Sequence, residues 1–178
     1  SGGRGYMPEE LAEFRPLMHG FSSYTEAVTA ASVVPDRGHV IMLGGDMIGL
    51  DVARTLVDTR HRVTLVAGPQ TFWPHEVGED ERPSLIAALE KMGIEVVEGA
   101  DAGGIASIEQ GARGLSARRV LFKDGTELYG DVVMPFFGLS PSVEFMLGSG
   151  TDIERGLLVN PALRTTSEGI YAAGDVCQ

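Results

Sequence analysis

Six residues, Gly44-Gly45-Asp46-Met47-Ile48-Gly49, join a short apolar run, His39-Val40-Ile41-Met42-Leu43, to a helical pattern. Glycines at the two ends of such a junction serve different purposes: Gly44 makes the tight turn, and Gly49 lets helix and strand pack closely. A helix that starts there aims its free N–H groups and the positive end of its dipole at one spot. The chemistry this suits is the holding of a phosphate. The third position breaks the pattern. A G-x-G-x-x-G turn keeps a glycine there so that the backbone can approach a pyrophosphate, and this chain has Asp46. A carboxylate about 4 Å from a phosphate charge costs roughly 4 kcal/mol at an effective dielectric near 20, enough to erase ordinary cofactor affinity. An Asp46 side chain turned out to solvent would soften that penalty.

The elements that must position this turn can be read from periodicity. Residues 1–24 are rich in Gly, Pro and polar residues, with one helical turn expected at Pro8 to Phe14. Thr25-Glu26-Ala27 opens a short helix, with Thr25 as its N-cap, that ends before Pro35. Strand 39–43, helix 47–58 and strand 62–66 then make a βαβ unit. Its second strand, "RVTLV", is a near-continuous apolar run, as expected of a parallel strand covered on both faces. After a Gly68-Pro69 turn, Leu85, Ile86, Leu89 and Met92 recur at helical spacing, and Gly93 stops that helix before another strand.

Beyond that strand the texture changes. "GIASIEQ", "LSARRVLF" and "ELYGDVVMPF" read as antiparallel strands, with Lys123-Asp124-Gly125 as a hairpin turn. Gly138-Leu139-Ser140-Pro141 is a loop before a short helix near 143–148, and "GLLVN" and "GIYAAG" read as two last short strands. The predicted fold class is α/β: a three-layer Rossmann-like domain with a parallel central sheet and an antiparallel β-meander.

Composition narrows the function. Twenty-five acidic residues against 14 basic ones give a net charge of −11, which disfavours a nucleic-acid or anionic-membrane surface. No apolar stretch approaches the roughly 18 residues of a membrane span, and the first residues carry no apolar signal-peptide core. The single cysteine, Cys177, excludes an internal disulfide and a cysteine-rich zinc site, and suits a reducing cytoplasm. His19, His39, His61 and His75 show no metal-ligand spacing.

Three segments together resemble the FAD-dependent pyridine nucleotide-disulfide oxidoreductases, closest to the branch of rubredoxin and ferredoxin reductases, nitrite reductase flavoproteins and CoA-disulfide reductases. "IMLGGDMIGLDVARTL…HRVTLV" is similar to that family's GGGxIGxE-type turn and following strand. "FKDGTELYGDVVMPFFGLSPSVEFM" resembles its "DG…ADxVvxxxGxxPN" stretch, and "LVNPALRTTSEGIYAAGDV", residues 158–176, its second FAD motif. "SGGRGYMP" resembles the family's A-T-G-[GS]-x-P turn, where the chain leaves the FAD domain. The resemblance implies an inserted NAD(P)H-binding domain of a larger flavoprotein. Residues 1–37 would be the linker from the FAD domain, 38–160 the NAD(P)-binding-like domain, and 161–178 the return segment. FAD would belong to the parent protein, and NADH or NADPH would be the possible ligand of this part. The expected partners are the remainder of the parent flavoprotein and a redox-protein acceptor.

The resemblance also assigns residues. Gly44, Gly45, Asp46, Met47, Ile48 and Gly49 would surround the pyrophosphate. Family members that use NAD carry an acid at the end of the second strand for the ribose hydroxyls, and here that position is Ala67. No arginine for a 2′-phosphate stands there either, although Arg60 and Arg62 lie earlier. Asp51 sits where the family has a glutamate near nicotinamide and flavin, and an acid on a first helical turn is equally ordinary dipole chemistry. Gly138 matches the glycine under the nicotinamide ring or is a turn glycine. Gly174 and Asp175 match the FAD motif, in which the aspartate hydrogen-bonds the ribityl chain. Phe72 and Trp73 are a core anchor or a stacking surface. Two functions follow as expectations: a domain that presents NAD(P)H to a flavin, or a degenerate domain that serves as a scaffold or docking surface.

Overall fold

The apolar runs of the sequence build a layered α/β arrangement in the computed structural model, which describes residues 2–68, 71–98, 104–111 and 117–177. In chain order the elements are β1 (Gly3–Gly5), a 3-10 helix (Glu9–Leu17), α1 (Tyr24–Val33), β2 (His39–Gly44), α2 (Met47–Asp58), β3 (Arg62–Ala67), α3 (Arg82–Lys91), β4 (Ile94–Glu98) and β5 (Ile105–Gln110). They continue with β6 (Arg118–Phe122), β7 (Glu127–Gly130), β8 (Val132–Phe136), β9 (Leu139–Pro141) and a short 3-10 turn (Glu144–Met146). Two compact units divide the chain: Met7–Gly138, and Ser1–Tyr6 together with Leu139–Gln178.

The larger unit is organised by a parallel sheet in the order β4-β3-β2-β8. Side chains alternate across a strand, so β2 sends Val40 and Met42 to one face and Ile41 and Leu43 to the other. The first face packs on the helices through Ala30, Ala53 and Leu89. The second packs on the 3-10 helix and the antiparallel sheet β5-β6-β7 through Leu11, Ile108 and Val120. All six residues of β2 are therefore buried, and each large apolar side chain among them contributes about 2 kcal/mol of burial. This is the predicted three-layer fold: helices, parallel sheet, β-meander.

Local chemistry explains where the boundaries fall. The N-cap of α1 is Ser23, whose Oγ accepts the Glu26 N–H at 3.2 Å, so the helix begins before the expected Thr25 cap. Glu26 reaches back to accept from the Ser22 N–H and hydroxyl, which completes the capping pair. The Lys123-Asp124-Gly125 turn is as predicted, with Asp124 accepting the Thr126 N–H at 2.8 Å and Gly125 at φ +89°.

"ELYGDVVMPF" departs from expectation. It is not one antiparallel strand but two strands in different sheets, β7 against β6 and β8 parallel to β2. Gly130 allows the crossing, because a Cβ there would lie 2.8 Å from Ile41 Cγ1. Asp131 then fixes it by bracketing the His39 backbone: its N–H donates to the His39 carbonyl and its Oδ2 accepts the His39 N–H, both at 2.7 Å.

In the smaller unit β1 pairs antiparallel with β9, from Gly3 opposite Pro141 to Gly5 opposite Leu139. The segments "GLLVN" and "GIYAAG" are not strands. They make only single bridges, Ile153 with Leu157, Leu157 with Cys177, and Arg164 with Tyr171. The helix expected near 143–148 is the short 3-10 turn Glu144–Met146. Pro69 of the expected Gly68-Pro69 turn and the first residues of "LSARRVLF" lie outside the described residues.

One polar chain crosses the N-terminal end of the parallel sheet. His39 Nε2 lies 2.8 Å from Thr64 Oγ1, and that hydroxyl donates to Glu95 Oε2 at 2.9 Å. With its hydrogen committed to Glu95, the hydroxyl accepts from His39, which is therefore the Nε2–H tautomer. Burial, with Arg62 second, holds the His39 pKa below the usual 6.5. The native state thus prefers neutral imidazole, whereas the unfolded chain takes up a proton first as the pH falls. Stability is full above about 6.5 and declines below it until native His39 protonates as well. His19 has a pKa lowered by burial and by Arg118, and adds to the same slope. Urea unfolding at about pH 7.5 and about pH 5.5 tests this. His39→Gln is expected to shrink the loss of midpoint between the two, and the double change with His19→Gln to abolish most of it.

Candidate functional site

The turn between β2 and α2 stands at the C-terminal edge of the parallel sheet, where open α/β sheets bind their ligands. Its glycines are demanded by β8. Gly44 has φ +99°, and a Cβ on it would lie 2.2 Å from the Phe136 carbonyl oxygen. A Cβ on Gly49 would lie 2.6 Å from the Phe136 ring. The Phe136 carbonyl in turn accepts the N–H groups of Gly45 at 2.8 Å and Asp46 at 3.2 Å.

Asp46 does not turn out to solvent. It is 5% exposed and forms the N-cap of α2. One carboxylate oxygen accepts the Gly49 N–H at 2.7 Å, and the other accepts the Gly138 N–H at 2.8 Å. Charge-assisted hydrogen bonds of this kind contribute about 1.5–3 kcal/mol each, and the helix dipole adds to them. The carboxylate ties the start of α2 to the chain just beyond β8, across 92 residues of sequence.

A third segment closes over the same turn. Thr71 Oγ1 donates to the Gly44 carbonyl at 2.6 Å and accepts the Gly68 N–H at 2.9 Å. The Phe72 N–H donates to the Gly45 carbonyl at 2.8 Å, and the Trp73 carbonyl accepts the Met47 N–H at 3.0 Å. Phe72 is a core residue, 6% exposed. Trp73 is half-buried, and a Cβ on Gly138 would meet its indole at 2.8 Å. Of the amides from Gly45 to Gly49, those of Gly45, Asp46, Met47 and Gly49 thus all donate within the chain.

The remaining sequence candidates fall into separate places. Met47 and Ile48 expose their side chains beside the turn, at 45% and 47%. Ala67 ends β3 opposite Gly44 with its methyl buried and offers no carboxylate. Asp51 is exposed on α2 and rims an apolar groove of about 640 Å³ between α1 and α2, floored by Met134. Gly174 and Asp175 belong to the smaller unit. There Gly174 has φ +83°, and its carbonyl accepts from the Cys177 N–H and thiol, both at 3.1 Å. Asp175 is exposed, and a Cβ on Gly3 would lie 3.4 Å from its own Cβ. No cluster of three or more His, Cys, Asp or Glu side chains among the described residues is placed to hold a metal. No helix among them is long and apolar enough to cross a membrane.

Sequence reasoning missed Thr71 and Arg82. Arg82 brings its Nη2 to 2.8 Å from the Gly68 carbonyl and its Nε to 3.4 Å from Glu98, so a cation stands at the end of β3 where an acid was sought. It comes from the charged run Glu79-Asp80-Glu81-Arg82, which has no spacing relation to the turn. If Asp46 holds the turn as described, Asp46→Ala leaves the Gly138 N–H without its acceptor and removes a cap. The expected cost is about 2–4 kcal/mol in urea unfolding, against well under 1 kcal/mol for exposed Asp51→Ala.

Comparison with known proteins accounts for the architecture. The sequence matches the family model described as pyridine nucleotide-disulphide oxidoreductase over residues 2–178. Rubredoxin-NAD(+) reductase of Alcanivorax borkumensis is 29% identical over 147 residues, covering 83% of this chain and 37% of that protein. The enzyme of the same name from Acinetobacter baylyi is 31% identical, covering 78% and 34%. The chain therefore spans little more than a third of the length of these relatives. Among solved structures, putidaredoxin reductase in its covalent complex with putidaredoxin matches with a TM-score of 0.81 at 22% identity, over 99% of this chain and 42% of that one. An NAD-dependent persulfide reductase from A. fulgidus matches at 0.79 and 22%, over 99% and 32%. With its parallel sheet, meander and glycine turn, the chain belongs to the pyridine nucleotide-disulphide oxidoreductase family.

Proposed function

We propose that this chain is part of an FAD-dependent oxidoreductase and that its larger unit is the domain that receives NADH or NADPH. The observation that carries the reading is the convergence of the Gly49 and Gly138 N–H groups on one anion at the C-terminal edge of the parallel sheet. Two N–H groups meeting on one carboxylate support reading the turn as an anion seat. Bound there, a nicotinamide nucleotide would supply hydride and the flavin would accept it. The chain's own residues would supply donors and shape: the turn amides for the pyrophosphate, Gly138 beneath the ring, and Asp175 for the ribityl chain of FAD. The relatives are named as rubredoxin reductases, and a small redox protein is the matching acceptor class for the whole protein.

The fit to a dinucleotide is incomplete. The glycines suit it, but Asp46 already occupies the donors, and Ala67 offers nothing to a ribose. These two residues favour a second reading, in which the domain is a scaffold or docking surface and the flavin receives electrons elsewhere.

Titration of the purified chain with NADH and with NADPH, followed by calorimetry, separates the two. Saturable binding of either nucleotide below about 1 mM supports the first reading. Silence with both up to that limit leaves the scaffold role.

A further inference from the structure

The turn holds an anion, and the anion is the chain's own. We propose that Asp46 is an internal substitute for a pyrophosphate, so that a dinucleotide enters this turn only by displacing the Asp46 carboxylate, and that residue 46 thereby sets the nucleotide affinity of the domain. This rests on the reading of the turn as a dinucleotide seat.

Three observations carry it. The first is direction. The Asp46 carboxylate is 5% exposed and faces inward, with its two oxygens on the N–H groups of Gly49 and Gly138. Those are donors that an incoming phosphate at the start of α2 would need, and two anions cannot share them. The second is that the seat keeps its shape around the carboxylate. Gly44 and Gly45 hold φ +99° and +110°, and Gly49 remains without a side chain against Phe136. Nothing bulky has filled the turn itself, so within it the obstruction is one side chain with a rotatable Cα–Cβ bond. The third is the cover. The Trp73 carbonyl takes the Met47 N–H and its indole lies on Gly138, so the ring surface and the anion seat are shut by adjoining groups.

Displacement has a definite course. Asp46 would rotate toward solvent beside the exposed Met47 and Ile48, freeing the N–H groups of Gly49 and Gly138 together. The same two N–H groups would then donate to the ligand's phosphate oxygens, so the number of hydrogen bonds is conserved. What changes is the charge that must be moved aside, and that sets the affinity.

Asp46→Asn tests the charge with the cap retained, since the amide oxygen still accepts the Gly49 N–H. Asp46→Gly restores the fingerprint outright, and thermal melting checks that both variants fold. Trp73 is the single tryptophan of the chain, so its fluorescence, and energy transfer from it to a dihydronicotinamide, report arrival of NADH or NADPH beside Gly138. Affinity is expected to rise about tenfold or more in the folded variants over the wild-type chain, with quenching of Trp73 on binding. Binding gained only in the variants supports the proposal and assigns the wild-type domain its docking role. Equal affinity in wild type and both variants overturns the proposal while leaving the nucleotide-domain reading intact. Silence of all three chains, with one variant folded, overturns that reading and the proposal with it.

Discussion

Two backbone N–H groups, those of Gly49 and Gly138, converge on the carboxylate of Asp46, and the C-terminal edge of the sheet is arranged around that meeting. The start of α2 brings a positive dipole end and unpaired donors, which a buried junction cannot leave without partners. Asp46 satisfies the helix and at the same time fastens the chain that leaves β8. The Phe136 carbonyl takes the next two amides from the other side, and Thr71 to Trp73 close the top. Three stretches far apart in sequence are thus locked to one turn. A single inward-facing carboxylate lets the ends of β2 and β8 and the segment after β3 form one rigid edge.

Much of the layering was legible because it depends on patterns that survive in one dimension. The apolar runs of β2, β3 and β8 and the spacing of Ile86 and Leu89 all mark surfaces that must be covered. The failures have a common physical cause. "ELYGDVVMPF" has the composition of one continuous strand, and only the missing side chain at Gly130, where a Cβ would strike Ile41, permits the chain to change sheet there. "GLLVN" and "GIYAAG" have strand composition, yet they make only isolated bridges, two at Leu157 and one at Tyr171. Pairing is a property of neighbours, and neighbours are what a sequence does not print.

The site divides along the same line. The positions of Gly44 and Gly49 announced a strand-to-helix turn, and the turn is there. The direction of Asp46 could not be read, because it is decided by an N–H group 92 residues away. The role of Thr71 was hidden for a similar reason: its hydroxyl bridges two backbone groups that meet only in the fold. Arg82 reaches the end of β3 from another helix, and no motif spacing covers that distance.

The glycines, then, are weaker witnesses to a ligand than they first appear. Gly44 and Gly49 would be required by Phe136 whether or not a nucleotide ever bound, since a Cβ at either place strikes that residue. Packing explains them fully. Residue 46 is different, because its N–H and φ near −64° place no demand for glycine on it. What the fold asks of that place is an acceptor for the Gly49 and Gly138 N–H groups, and that acceptor need not be a side chain. The turn's architecture therefore fixes five of its six positions for structural reasons or leaves them open to solvent, and leaves the charge at the seat to residue 46. A glycine at that place presents a helix N-terminus to whatever anion arrives, whereas an aspartate supplies the anion covalently. On the proposed reading the same backbone serves both states, and the difference between a cofactor site and a self-sealed joint comes down to the charge carried by one side chain.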